Sequence, residues 1–274
     1  MDSTVIRKSL TALVLVAPTV ALVACGGSDS GSTTTVTTTE PASSTTATTP
    51  AAPGGQSLPQ GSDHVELDPA EFTTEIDNPY FPLAPGSHWV YREVDNTGGP
   101  ELKVDVSVSG ETKMIANGVE ALVVRDVVSE GGSPVEKTDD WYAQDAEGNV
   151  WYLGEDTAEY ENGKVTTRAG SFEAGVDGAE AGIIMPAHPE VGMAYRQEYY
   201  VGQAEDEASV LSVDEQVEGP TGHYKDVLMT RDLVPLEPKV NEHKLFAPGV
   251  GLVLALNISG GSGYEELVSF TPGG

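Results

Sequence analysis

The amino-acid sequence predicts an all-β fold: a single curved antiparallel sheet or open barrel, rich in meander connections, with about ten strands and at most one or two short helices. Three observations support this prediction. Apolar and polar residues alternate with a period of two, closely spaced turn signals separate the alternating segments, and helical periodicity is missing from Trp89 onward. Consecutive hairpins favour this arrangement over a Greek-key sandwich, although periodicity alone leaves the sandwich open.

The first elements are a short helix candidate at Asp68 to Glu75 and a clear strand at Lys103 to Ser109. Within that strand every second residue from Val104 to Val108 is valine, which places one apolar face against a core. Asn117-Gly118 suits the positive φ angles of a tight hairpin turn before the apolar strand 119–128.

Aromatic strands at Thr138 to Gln144 and Asn149 to Gly154 follow, joined across residues 145–148, and Asn162-Gly163 marks another reversal. The Gly- and Pro-rich segment 175–189 predicts a loop crossing between two parts of the sheet. Further strands are predicted at 193–202, 208–218, 223–234, 241–246, 252–258 and 264–270.

Charge and cysteine content exclude several function classes. The chain has 43 acidic and 14 basic residues and a net charge of −29, so its surface would repel nucleic-acid phosphates and anionic lipid headgroups. Such acidity most often serves solubility, with attraction of cations or basic partners as the alternative. Cys25 is the only cysteine, which leaves no disulfide and no cysteine metal site.

The N-terminus has the features of an export signal. Arg7 and Lys8 precede an apolar run from Leu10 to Val23 that is short for a membrane span, and small residues lead to Cys25. This arrangement resembles a bacterial lipoprotein signal peptide with its lipobox. The resemblance implies cleavage after residue 24, lipidation of Cys25 with diacylglycerol and an acyl chain such as palmitate, and a lasting anchor on the outer face of the cytoplasmic membrane.

Three segments follow from this. Residues 1–24 are the predicted signal peptide, residues 25–61 the lipidated N-terminus and a disordered tether rich in Ser, Thr, Pro and Gly, and residues 62–274 the all-β extracytoplasmic domain. A tether of this length reaches about 30 Å on average, enough to lift the domain clear of the headgroups.

No common catalytic signature is present: the sequence lacks GxSxG, SxxK, HExxH, a P-loop and GxGxxG. The five histidines are scattered without the spacing of a metal site. We therefore assign no catalytic residue, no metal and no cofactor, and expect a binding protein more than an enzyme.

The densest group of candidate residues lies on the aromatic hairpin. Trp141, Tyr142, Trp151 and Tyr152 flank its turn, and the two tryptophans are placed where they could pair across the strands. Paired aromatic rings with acidic neighbours such as Glu155 bind sugars or hydrophobic rings. The alternative is that these aromatics are cross-strand core residues.

A second candidate group is Arg196 and Glu198, which lie two residues apart and are expected to share one face of their strand. With Glu205 and Asp206 they could form a polar cluster, and a suitably spaced carboxylate pair would permit glycosidase chemistry. The alternative is a solvated ion pair worth at most about 1 kcal/mol.

The stretch from Asp140 to Gly251 resembles an uncharacterised family of bacterial secreted and lipid-anchored proteins. The signature is the run 141–155, WYAQDAEGNVWYLGE, followed by EAGVDGA at 173–179, GIIMPA at 182–187, YRQEY at 195–199 and FAPGVG at 246–251. The segment DNPYFPL at 77–83 is similar to the same group. The resemblance implies an envelope location and leaves the ligand undefined.

These observations predict a lipid-anchored binding module of the bacterial envelope that holds a small apolar or ring-bearing ligand, or a sugar, on an aromatic β-sheet surface. The predicted ligand-binding residues are Trp141, Tyr142, Trp151, Tyr152, Glu155, Arg196 and Glu198. Two alternatives remain: an envelope glycan hydrolase that uses Glu155 and Glu198, and a structural protein whose acidic face meets a basic partner.

Overall fold

The computed structural model describes residues 58–274. Cys25, the predicted signal peptide and most of the predicted tether lie outside the described residues. Within the described part, no helix is long and apolar enough to cross a bilayer.

The described chain consists of strands joined mostly by tight turns. A 3₁₀ turn, Pro69–Glu71, precedes the strands β1 Phe72–Thr73, β2 His88–Val94, β3 Leu102–Met114, β4 Glu120–Glu130, β5 Ser133–Asp145, β6 Val150–Glu161, β7 Lys164–Thr167, β8 Phe172–Glu173, β9 Glu180–Met185, β10 Ala194–Arg196, β11 Glu198–Tyr199, β12 Glu207–Gly219, β13 Gly222–Leu233, β14 Asn241–Ala247, β15 Gly251–Ser259 and β16 Tyr264–Thr271.

All strands belong to one antiparallel sheet, which confirms the predicted all-β class. Its order is β10, β12, β13, β14, β15, β16, β2, β3, β4, β5, β6, β9, β11, with β1 added to β5, and β7 and β8 added to β6. The two ends of this order, β10 and β11, are separated in sequence by Gln197 alone. One short segment therefore carries both edges, and the sheet is nearly closed into a barrel.

The described residues form more strands than the ten expected, because several strands are too short to show an alternating pattern. The predicted loop crossing at 175–189 also contains a strand, β9, whose residues do not alternate between buried and exposed and which pairs with β6 and β11. Gly182 permits this pairing. A Cβ atom there would lie 2.3 Å from the carbonyl oxygen of Gln197, so only glycine lets the two backbones approach.

The helix candidate at Asp68 to Glu75 is only a single 3₁₀ turn. Asp68 caps it by accepting a hydrogen bond from the Ala70 amide, and the chain then enters β1, which pairs with the end of β5. Phe72 packs edge-on against Trp151, with ring centroids 6.1 Å apart. The predicted helix therefore ends after one turn, because Phe72 forms a strand that pairs with β5 and packs against Trp151.

The hairpin turns occur where the sequence predicts them. Gly118 has a φ of 94°, and Asn162 and Gly163 both have positive φ, as their turns require. Residues 145–148 close the β5–β6 hairpin through a hydrogen bond from the Gly148 amide to the Asp145 carbonyl. These turns set the register that carries side chains into the barrel.

Candidate ligand-binding site

The barrel contains a cavity of about 100 Å³ that is open to solvent. Its walls are mainly apolar. The aromatic lining residues are Phe81, Trp89, Tyr91, Tyr142, Tyr152 and Phe246, and the aliphatic ones include Leu83, Val104, Val106, Val124, Ile184 and Leu252.

Strand alternation supplies one wall of this cavity. Trp89 and Tyr91 of β2 point inward, and backbone carbonyls fix both rings. The Trp89 Nε1–H donates to the Val250 carbonyl at 2.7 Å, and the Tyr91 hydroxyl donates to the Leu252 carbonyl at 3.2 Å. The polar ends of the rings are therefore satisfied, and their apolar surfaces face the cavity.

The segment before β2 brings Phe81 to the cavity. Asn78 is buried and its side-chain amide donates to the carbonyls of Gly148 and Pro186. The backbone amide of Asn78 also donates a hydrogen bond to the side-chain oxygen of Gln144. These bonds fix residues 77–83, so that Phe81 packs edge-on against Tyr142 at 5.3 Å.

Tyr142 and Tyr152 form the centre of the opposite wall. They lie directly opposite each other on β5 and β6, and their rings stack with centroids 5.0 Å apart. A bulge follows immediately, because Trp141 pairs with Gly154 and not with Leu153. Gly154, with φ of 135°, is required here, since a Cβ atom would lie 2.3 Å from the Phe172 carbonyl oxygen.

The bulge brings Glu155 to the same face as Tyr152. The Tyr152 hydroxyl lies 2.7 Å from Oδ1 of Asp140 and 2.9 Å from Oε2 of Glu155, and all three residues are buried. A phenol has one hydrogen to donate, so both contacts are satisfied when one of the carboxyls is protonated and donates to the phenol oxygen. Burial raises the pKa of Asp140 to about 8 and that of Glu155 well above its usual value.

Glu198 lines the cavity at the place where the barrel closes. The amides of Gln197 and Glu198 both donate to the carbonyl of Asp206, which is the pattern of a β-bulge between β10 and β11. Arg196 and Glu198 consequently do not share a face, and the prediction that they would was wrong. Gln197 and Glu198 line the cavity, whereas the Arg196 guanidinium bonds to the carbonyls of Gly61, Asp63 and Ala181.

Glu198 is 1% exposed, and neither of its carboxylate oxygens accepts a hydrogen bond from any described residue. Burial, followed by the charges of Asp206 and Asp140, raises its pKa well above the usual value. Asp206, which was expected near Glu198, also lines the cavity. Glu205 does not line it and instead accepts a hydrogen bond from the Gly202 amide. Burial raises the pKa of Asp206 as well.

A further acidic pair lies across the cavity wall formed by β2 and β16. Glu93 and Glu265 are directly opposite each other in the register, and Glu265 is 2% exposed. Burial and the mutual repulsion of the carboxylates raise the pKa of Glu265 well above its usual value. Burial raises the pKa of Glu93 to about 7.

Lys244 is the one basic side chain among the described cavity-lining residues. Its ammonium lies 2.8 Å from Oδ2 of Asp232. The other carboxylate oxygen of Asp232 accepts a hydrogen bond from the Thr230 hydroxyl. Although burial lowers the pKa of Lys244, Asp232 and Glu242 raise it on balance, so the lysine stays charged. This cation is thus already paired with a carboxylate outside the cavity lining.

The two tryptophans of the predicted aromatic platform lie on the other face of the hairpin. Trp141 pairs with Gly154 and Trp151 with Ala143, so they do not pair with each other. They are 7% and 8% exposed and belong to the core. Lys113 covers the Trp141 ring at 3.8 Å, and the Trp151 Nε1–H donates to Asp145. Neither tryptophan lines the cavity, which instead receives Tyr142 and Tyr152.

Sequence reasoning missed the interior acids Asp126, Asp140 and Glu265 and the lysine Lys244. A signal for some of them was present. Asp126 lies two residues from Val124 and two from Val128, so a carboxyl occurs at an inward position of an otherwise apolar face. Glu265 stands in the same relation to Leu267, and Lys244 to Phe246. A charge in phase with buried apolar residues indicates an interior polar site.

The described residues contain no group of three or more His, Cys, Asp or Glu side chains that could hold a metal ion. The interior carboxyls therefore line a cavity without forming a coordination cage. The site combines aromatic walls, buried carboxyls and one paired lysine, an arrangement suited to binding a molecule with an apolar body.

Comparison with known proteins gives weak similarities only. No protein-family model and no curated protein matches the chain. Among solved structures, the chain is similar to a Bacteroides fragilis protein provisionally described as exported with a YmcC-like fold, at 14% identity and a TM-score of 0.39, covering 70% of this chain and 99% of that one. It is also similar to a Parabacteroides distasonis protein provisionally described as a lipoprotein, at 14% identity and a TM-score of 0.40, covering 71% and 99%.

Proposed function

We propose that this protein is a lipid-anchored binding module of the bacterial envelope, which holds a small and largely apolar ligand inside its barrel. The observation that carries the proposal is the cavity with six aromatic lining residues. Cavities of this kind, with apolar walls and a few polar groups, are the usual form of small-molecule sites. The location rests on the lipobox at Cys25 and on the family resemblance of residues 140–251.

The position of the predicted site residues supports binding inside the barrel over binding on an outer aromatic surface. Tyr142, Tyr152 and Glu198 reach the cavity or its wall, whereas Trp141, Trp151 and Arg196 are committed to packing and backbone contacts. Glu155 bonds Tyr152 and does not line the cavity. The glycan hydrolase alternative, which needs Glu155 and Glu198 on one substrate, therefore gains no support from their placement.

The proposal is tested with N-phenyl-1-naphthylamine, an apolar dye whose fluorescence rises when it leaves water. The exported chain carrying Cys25→Ser, which has no lipid to bind the dye, should bind it with a saturable signal. Leu252→Trp should weaken this binding roughly tenfold, because Leu252 lines the cavity and a larger side chain narrows it. Leu254→Trp is the matched control, since Leu254 lies on the same strand outside the cavity lining.

Equal dye binding by both variants would place the dye outside the barrel and contradict the proposal. Native mass spectrometry of protein recovered from its own envelope, without refolding, provides the complementary measurement. A discrete mass increment on the chain is the expected result.

A further inference from the structure

The charges inside the cavity are unbalanced. Four of its lining residues carry carboxyls, namely Asp126, Glu198, Asp206 and Glu265. The one lining lysine, Lys244, contacts Asp232, which is not a lining residue. Lys244 is therefore the one described lining cation near the carboxyls of Glu198, Asp206 and Glu265, and these three remain protonated unless a further positive charge enters the cavity.

Specific acceptor atoms point to where this charge would lie. Both oxygens of Glu198, one oxygen of Glu265 and one oxygen of Asp206 are buried without a hydrogen-bond donor from the described residues. Buried polar atoms are satisfied in the great majority of native proteins, so a group of such atoms in one cavity requires an explanation. A ligand that donates hydrogen bonds to Glu198 provides one.

The walls restrict the kind of donor. No set of described side chains is placed to coordinate a metal ion, and the lining is mainly aromatic and aliphatic. An anion would be repelled by the carboxyls, and an uncharged apolar ligand would leave their oxygens without partners. Trp89, Tyr91, Tyr142 and Tyr152 are among the lining residues, and the π-systems of such rings attract an organic cation.

We infer that the ligand of this cavity is an organic cation, an amine or ammonium group on an apolar body, with its charge at Glu198 and its body against the aromatic wall. This inference rests on the proposed function and names the ligand class for the same cavity. An alkylammonium group has up to three N–H donors, which is enough for both oxygens of Glu198.

The test compares three molecules of similar length that compete with the dye N-phenyl-1-naphthylamine and differ in their head group: 4-phenylbutylamine, 4-phenylbutan-1-ol and 4-phenylbutanoate. Each is titrated against the chain carrying Cys25→Ser in about 0.3 M salt, which screens the attraction of cations to the acidic surface. The amine should bind roughly tenfold to hundredfold more tightly than the alcohol, because its hydrogen bonds to carboxylates are charge-assisted. The carboxylate should bind least.

Glu198→Gln should abolish the preference for the amine and retain affinity for the alcohol. Glu147→Gln removes the same charge from the exposed β5–β6 turn and should leave the preference unchanged. If Glu198→Gln does not fold, Glu265→Gln should reduce the preference in the same direction.

Equal binding of amine and alcohol by the unmodified protein would overturn the inference and leave the proposed function in place. Retention of the preference in folded Glu198→Gln would also overturn it, since the charge would lie elsewhere. Failure of all three competitors and of the neutral dye to bind would overturn the inference and the proposed function together.

Discussion

The two faces of the β5–β6 hairpin differ in how their polar atoms are satisfied. On the outer face, Trp151 donates to Asp145, and Lys113 covers Trp141 while it also bonds Glu173. On the inner face, Asp140 and Glu155 share one tyrosine hydroxyl. The outer face is built for stability, whereas the inner face keeps carboxyls in a place that disfavours their charge. Such a departure from ordinary packing is typical of a functional site.

The largest change in the free energy of unfolding should come from a substitution on the outer face of the hairpin. Trp151→Ala removes the contact with Phe72 and the hydrogen bond to Asp145, and it should lower the free energy of unfolding by about 3–5 kcal/mol. Urea denaturation measures this loss. The folded fraction should bind the neutral dye with unchanged affinity, because Trp151 does not line the cavity. A loss of dye affinity without a loss of stability would restore the outer aromatic platform as the binding site.

The buried carboxyls of this inner face, together with Glu93 on β2, should make stability depend on pH in an unusual direction. The folded-state pKa values of Asp140, about 8, and Glu93, about 7, lie above the ordinary values of 3.8 and 4.5. The folded state therefore binds more protons than the unfolded state between about pH 4 and pH 8, and its stability falls as the pH rises through this range.

Thermal unfolding should show this as a Tm at least about 5 °C lower at pH 8 than at pH 5. Trp151→Ala should lower the Tm at both pH values and keep the same difference between them, because it leaves the interior carboxyls in place. A Tm that rises from pH 5 to pH 8 would mean that these carboxyls are charged and satisfied in the fold.

A smaller effect should isolate one interior carboxyl. Glu93→Gln removes one charge of the pair with Glu265 and should raise the free energy of unfolding at pH 8 by roughly 1–3 kcal/mol, with little change at pH 5. Urea denaturation at the two pH values measures the difference. Glu147→Gln should change neither value, since Glu147 is exposed. Destabilisation by Glu93→Gln at both pH values would show that Glu93 has a structural role as a charged group.

Alternation and turn residues predicted the fold class and the hairpins because both signals are local. The valines of β3 and the Asn117-Gly118 turn needed no knowledge of the rest of the chain. The shortest strands were missed because two or three residues, such as Phe72–Thr73, show no period.

The candidate site was predicted only in part, because two bulges change which residues point inward. Simple alternation separates Tyr152 from Glu155 and unites Arg196 with Glu198, and the structure reverses both relations. The bulges arise from contacts between distant segments, Gly154 with Phe172 and Gln197 with Asp206. Single-strand periodicity contains no information about such contacts.

Arg196 also has a mechanical consequence. It joins the barrel seam to the start of the described chain, since its amide donates to the Pro59 carbonyl and its guanidinium to the carbonyls of Gly61 and Asp63. Tension applied from the N-terminal side would reach these bonds before it reached any rung of the sheet. With the proposed lipid anchor at Cys25, pulling force from the N-terminus would load the hydrogen bonds of Arg196 before the strands around the cavity, whose register would be kept.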